Sequence, residues 1–112
     1  MTVSTHVLDT SRGRPAAGVA VRFLRQQGNN WIEVFGGETN ADGRVPSLLP
    51  GTASGGPGPY RLTFDVGAYF EQDGIQSFYG VVTIDFIVRD AASHHHVPLL
   101  VSPYSYSTYR GS

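Results

Sequence analysis

The sequence contains no cysteine and no lysine, and it has little charge of either sign. Without cysteine there is no disulfide, no thiolate metal site and no thiol nucleophile. Without lysine there is no Schiff-base chemistry and no phosphate loop of the kind that needs a lysine. Eight arginines stand against nine acidic residues, for a net charge of -1. That balance carries no footprint for nucleic acid or an anionic membrane. No apolar run approaches the ~18 residues of a membrane helix. Met1 to Thr10 has neither a basic region nor an apolar stretch, so it does not read as a secretory signal. The expected location is cytoplasmic. Charged residues make up only 15% of the chain, where ~25% is usual. A small protein so short of charge is expected to cover part of its surface with partners, which points to oligomerisation.

What is present is the material of strands. The 112 residues fit one domain, 1–112, large enough for a core without covalent staples. Twelve valines, eight threonines, six phenylalanines and six tyrosines are strand formers. The periodicity is two. Val3, Thr5 and Val7 alternate with Ser4, His6 and Leu8. After a turn region at Ser11 to Gly18, Val19, Val21 and Phe23 alternate with Ala20, Arg22 and Leu24. Gly28-Asn29-Asn30 reads as a hairpin turn into a strand from Trp31 to Phe35. Asp42-Gly43 is a further turn signal, with Arg44 just after it. Pro46 to Pro59 is rich in proline and glycine and reads as a long loop.

Tyr60 to Asp65 resumes a strand, and Gly67 to Gly74 is the one helix candidate. Phe78 to Arg89 is the strongest strand, with Phe78, Gly80, Val82, Ile84, Phe86 and Val88 on one face. His94 to Ser102 follows, where Pro98 suggests an edge position or a bulge. Pro103 introduces a last strand, Tyr104 to Tyr109. Seven or eight short strands separated by turns predict an all-β sandwich of two face-to-face antiparallel sheets.

Four features bear on chemistry. Ser93-His94-His95-His96-Val97-Pro98 puts His94 and His96 on one strand face and His95 on the other. Imidazole suits acid-base work near neutral pH, and a His-x-His pair also suits zinc. A polar strand with a structural role fits these residues as well. His6 lies on the polar face of the first strand. Arg44, beside its turn, offers a planar guanidinium able to clamp an anionic or imide-like ring through paired donors, although a solvated arginine beside a turn is common. The tail, Tyr104 to Ser112, is aromatic-rich and lacks the composition of a disordered end. There is no Gly-x-Ser-x-Gly elbow, and Gly55-Gly56-Pro57-Gly58 lacks the strand-to-helix context of a nucleotide fingerprint.

Taken together, His6-Val7-Leu8-Asp9, Asp42-Gly43-Arg44, His96-Val97-Pro98-Leu99-Leu100 and the terminal Tyr109-Arg110-Gly111-Ser112 resemble the transthyretin-like 5-hydroxyisourate hydrolases. The resemblance runs on through Tyr60-Arg61-Leu62-Thr63-Phe64-Asp65, Tyr69-Phe70 and Phe78-Tyr79, and so covers nearly the whole chain. It implies a transthyretin-like sandwich of two four-stranded sheets with one short helix. It also implies a homotetramer with sites at the dimer-dimer interface. The implied activity is hydrolysis of 5-hydroxyisourate to 2-oxo-4-hydroxy-4-carboxy-5-ureidoimidazoline in urate breakdown, with no metal and no organic cofactor. His6, Arg44 and His96 are the implied catalytic residues. His6, Arg44, Tyr109 and Ser112, with Arg110 and Gly111 in the same motif, are implied at the substrate.

The chain departs from the family at His95, where tyrosine is common, at Gly80, where proline is common, and in the glycine- and proline-enriched stretch from Ser54 to Pro59. Alternation turns His95 away from His96, so a change of packing with retained activity is expected. The rival reading is a carrier like transthyretin itself. An apolar hormone channel has no need of the polar set His6, Arg44, His96 and the Tyr-Arg-Gly-Ser ending.

Overall fold

Period-two alternation becomes two stacked sheets. The computed structural model describes residues 1–49 and 55–112. Of the loop read at Pro46 to Pro59, residues 50–54 lie outside the described residues. The first sheet has the order β2 (Arg14–Pro15), β1 (Thr2–Asp9), β8 (His94–Ser102), β9 (Ser105–Thr108), and β5 (Arg44–Val45) also pairs with β1. The second has the order β4 (Asn30–Glu38), β3 (Ala20–Gln27), β6 (Gly58–Asp65), β7 (Val81–Val88). One short helix, α1 (Val66–Glu71), joins β6 to β7.

The inward positions are those the alternation selects. Val3 and Val7 of β1 and Leu99 and Val101 of β8 meet Val21, Phe23, Leu62, Phe64 and Val82 of the second sheet, all buried. Phe23, Tyr60 and Phe86 stack in near-parallel planes, with ring centroids 5.3 to 6.3 Å apart. Asp65 caps α1 by accepting a hydrogen bond from the Ala68 amide at 3.1 Å. Val66, Tyr69 and Phe70 bury the helix against the sandwich.

Four local details differ from the alternation. Leu24 is buried beside Phe23, because β4 shifts register there: Phe23 pairs with Phe35 and Leu24 with Glu33, leaving Val34 as the extra residue of a bulge. The strand read from Phe78 begins at Val81. Phe78 is 73% exposed and not on the buried face. The cause is a detour: the Phe78 amide donates to the Pro103 carbonyl at 2.7 Å, and the Gly67 amide to the Gly80 carbonyl at 2.8 Å, so the chain joins the sheet only after the helix is docked.

Pro98 is the third. It lies in an interior strand, with β1 on one side and β9 on the other. The missing proline N–H is tolerated because the ladder to β9 runs only from Leu99 to Ser102 and resumes as a lone bridge between His96 and Gly111. Pro98 occupies the gap, where its carbonyl accepts the Thr108 hydroxyl at 2.7 Å. The fourth concerns the first sheet, which is mixed: β1 and β8 run parallel. Strands so distant in sequence are not bound by hairpin geometry, so either direction is open to them.

The far end of β1 is locked by a buried carboxylate. Asp9 accepts from the Ser11 amide and hydroxyl, the Arg12 amide and guanidinium, and the Tyr69 hydroxyl of α1. Arg12 continues to Asp73 at 2.6 Å. Burial raises the Asp9 carboxyl, but the bonds from Ser11, Arg12 and Tyr69 outweigh it and hold it at about 2, below the usual 3.8. Asp9→Ala leaves the buried Tyr69 hydroxyl without this acceptor and Arg12 with Asp73 alone, and a loss of about 2 kcal/mol in denaturant unfolding is expected. A carboxyl lowered by folding stabilises the fold above pH 3.8 and loses that contribution as the pH falls through about 2. Acid unfolding of Asp9→Asn is therefore expected to lack this part of the acid limb.

Candidate functional site

The outward face of the first sheet gathers the polar residues. Along β1 these are Ser4 and His6, and along β8 they are His94 and His96, with Pro98 next in line on the same face, because the inward positions are taken by the core. The parallel register sets Thr2 against His94, Ser4 against His96 and His6 against Pro98. On the other edge of β1, His6 pairs with Arg44 of β5.

The turn that delivers Arg44 is tightly specified. Asn40 Oδ1 accepts from the Asp42 amide at 2.9 Å and from the Arg44 amide at 3.0 Å. The Asn40 amide donates to the Arg44 carbonyl at 2.9 Å. Gly43 has φ +74°, and a Cβ there would stand 2.5 Å from the Val7 carbonyl oxygen. Only glycine lets the turn lie this close to β1. Asn40 was not among the residues singled out by sequence; the signal that marks it is the Asn-x-Asp-Gly spacing of a side-chain-closed turn. His6 Nε2 donates to the Asp42 carbonyl at 2.9 Å. A carbonyl only accepts, so Nε2 holds the proton and Nδ1 of the neutral ring is left as the basic nitrogen.

His96 sits deeper. Its ring is half-buried, and Ser4 Oγ lies 2.7 Å from Nδ1. The same Ser4 oxygen lies 3.0 Å from His94 Nε2, and His94 Nδ1 is hydrogen-bonded to the Thr2 hydroxyl. Burial pushes the His96 imidazole below the usual 6.5, and the charge of Arg44, and of His94 and His6 when protonated, pushes the same way. His96 is therefore neutral at pH 7. The tail closes over it: the Gly111 amide donates to the His96 carbonyl at 2.8 Å, and a Cβ on Gly111 would meet His96 Cδ2 at 2.5 Å.

An open cleft of about 290 Å³ results, lined by Ser4, Thr5, Arg44, Pro46, His94, His96 and Ser112. No Asp or Glu side chain lines it. Arg44, His96 and Ser112 thus come together, and His6 borders them through its pairing with Arg44. Tyr109 does not line this cleft. It is 59% exposed and borders a second cleft with His95, Arg110, Ile84 and Phe86. His95 faces inward and is buried, as alternation requires, and burial followed by the charge of Arg110 lowers its imidazole as well.

Chemically, the first cleft offers a neutral imidazole beside a guanidinium. That is the equipment for taking a proton from water while stabilising negative charge on oxygen. Among the described residues no three His, Asp or Glu side chains are placed to share a metal. Both ring nitrogens of His94 are already engaged by hydroxyls.

Residues 3–111 match the HIUase/Transthyretin family. A 5-hydroxyisourate hydrolase of Caulobacter vibrioides is 48% identical over 118 residues, covering 98% of this chain and 97% of the relative. The structure of Klebsiella pneumoniae 5-hydroxyisourate hydrolase superposes with a TM-score of 0.86 at 40% identity, covering 99% of this chain and 98% of that one. Sea bream transthyretin in complex with thyroxine superposes with a TM-score of 0.90 at 29% identity, covering 97% and 93%. The chain belongs to the HIUase/Transthyretin family.

Proposed function

We propose that the protein, as one hydrolase domain over residues 1–112, converts 5-hydroxyisourate to 2-oxo-4-hydroxy-4-carboxy-5-ureidoimidazoline. The observation that carries this reading is the half-buried His96 facing a cleft shared with Arg44. The relatives named as 5-hydroxyisourate hydrolases support it. A carrier role like that of transthyretin finds no support in a cleft lined by arginine, histidine and serine.

In this proposal His96 Nε2 takes a proton from water as its oxygen attacks a ring carbonyl. Arg44 holds the polar ring and offsets the charge that develops on the carbonyl oxygen. His6, with Nε2 tied to the Asp42 carbonyl, presents Nδ1 to steer the water or, once protonated, to supply the leaving nitrogen. Ser112 lines the same cleft and contributes to substrate binding. Tyr109 is assigned to the substrate through a neighbouring copy, since its exposed ring stands away from the cleft of its own chain. That assignment goes with a homotetramer whose sites lie at the dimer-dimer interface and with a cytoplasmic location. No described helix is long and apolar enough to cross a membrane.

The direct test is the decay of freshly generated 5-hydroxyisourate, followed by ultraviolet absorbance. Decay well above the rate in buffer is expected; decay at the buffer rate with folded protein present would overturn the proposal. His96→Asn and Arg44→Ala are each expected to lower kcat/KM at least tenfold, a barrier increase of ~1.4 kcal/mol or more. Wild-type turnover in either variant would remove that residue from the mechanism. The pH profile carries a sign. A base held below 6.5 stays active across neutral pH, and the rate is lost as the pH falls through its lowered value. Because the charge of Arg44 contributes to that lowering, the acid limb of the residual activity in Arg44→Ala is expected to move to higher pH.

A further inference from the structure

We propose that Ser4 and His94 form a proton relay behind His96, with Ser4 Oγ passing a proton between His96 Nδ1 and His94 Nε2. The inference rests on the reading of His96 as the base, and it assigns positioning roles to two residues outside the set His6, Arg44 and His96.

A serine hydroxyl has one proton and two lone pairs. Ser4 Oγ lies 2.7 Å from His96 Nδ1 and 3.0 Å from His94 Nε2, both ordinary hydrogen-bond lengths. Its single proton serves one of these contacts, so the other needs an imidazole N–H. Two arrangements satisfy every atom. In one, Thr2 donates to His94 Nδ1, His94 Nε2 donates to Ser4, and Ser4 donates to His96 Nδ1. His96 then carries its proton on Nε2 and is an acid toward the cleft. In the other, all three bonds reverse: His96 Nδ1 donates to Ser4, Ser4 donates to His94 Nε2, and His94 Nδ1 donates to Thr2. His96 Nε2 is then bare and is a base toward the cleft. The three contacts from Thr2 to His96 are thus each satisfied in both protonation patterns of the His96 ring.

The step balances within the chain. As water oxygen bonds to the substrate carbonyl carbon, the carbonyl pair moves onto its oxygen and the water proton moves to His96 Nε2. The His96 Nδ1 proton passes to Ser4 Oγ, and the original Ser4 proton passes to His94 Nε2. The positive charge comes to rest on His94. In reversal the His96 Nε2 proton passes to the leaving nitrogen as the ring C–N bond breaks, while Ser4 Oγ returns a proton to His96 Nδ1 and His94 Nε2 returns one to Ser4 Oγ.

Solvation favours this direction. His94 is exposed, so its imidazolium is hydrated, whereas His96 is half-buried. The charged groups around the pair also bear on it. His6 on β1 and Arg44 on β5 act on His96. Arg110 of the tail reaches the His94 carbonyl at 3.4 Å. No carboxylate is hydrogen-bonded to either ring among the described residues. The rings lie nearly parallel, with centroids 6.4 Å apart and planes 15° from each other, so the hydroxyl bridges them edge to edge.

The test uses the full chain in the 5-hydroxyisourate decay assay. Ser4→Ala and His94→Gln are each expected to lower kcat by about tenfold with KM little changed, as expected for loss of assisted proton transfer. Ser4→Thr, which keeps the hydroxyl, is expected to recover most of that loss. His94 is exposed, so His94→Gln tests the idea even where Ser4→Ala weakens the fold. Rates in mixtures of light and heavy water are expected to give a curved proton inventory in the wild type and a straight one in Ser4→Ala. Nitrogen NMR of the imidazoles supplies a readout free of turnover. His94 and His96 are expected to titrate as a coupled pair in the wild type and separately in Ser4→Ala. Wild-type kcat and isotope effects in both Ser4→Ala and His94→Gln, with His96→Asn inactive, would overturn the relay and leave the hydrolase reading standing. Wild-type turnover in His96→Asn would instead overturn the base assignment on which the relay rests.

Discussion

The parallel ladder between β1 and β8 is the constraint on which the site depends. Its eight-residue register sets Thr2, Ser4 and His6 beside His94, His96 and Pro98 on one face. The other face of the same two strands supplies Val3, Val7, Leu99 and Val101 to the core. Core and site are therefore one decision. A slip of one residue in either strand would turn its valines and leucines to solvent and its polar residues inward, at a cost of several buried side chains. The hydrophobic term thus enforces the geometry of a polar site with which it shares no atoms.

The two outer faces of the sandwich make the contrast plain. On the second sheet the outward residues pair among themselves: Arg22 with Glu33 at 2.5 Å, and Arg61 with Asp85 at 2.7 Å while its guanidinium covers the Trp31 ring at 4.1 Å. These are solvated pairs, and such pairs contribute little to stability. On the first sheet Arg44 has no hydrogen bond or ion pair from its side chain to a carboxylate among the described residues, and the imidazoles nearby bond to hydroxyls and a carbonyl. Charge there is left uncompensated at a cleft.

Much of this was legible in the chain. Alternation marked the strands, and Gly67 to Gly74 marked the one described helix, which starts a residue earlier at Val66. Gly43 and Arg44 stood at a recognisable turn, and the opposed facing of His95 and His96 followed from the pleat alone. The failures share a cause. Phe78 looked like the start of a buried strand because its neighbours alternate, but a docked helix and the Pro103 carbonyl divert the chain before Val81. Pro98 looked like a residue of an edge or a bulge because proline lacks a donor, yet an interruption in a neighbouring ladder accommodates it in an interior strand. Neither condition is written near the residue it governs.

The sequence by itself determined the period of the strands, the turn chemistry and the residue types at the site, because these depend on neighbours a few positions away. Tertiary structure decided which distant polar residues meet. Nothing near Ser4 in the chain announces that its hydroxyl lies between two imidazoles. Such meetings depend on the register between strands far apart in sequence. That register is settled by packing of the opposite face, a property of the whole core and of no local segment.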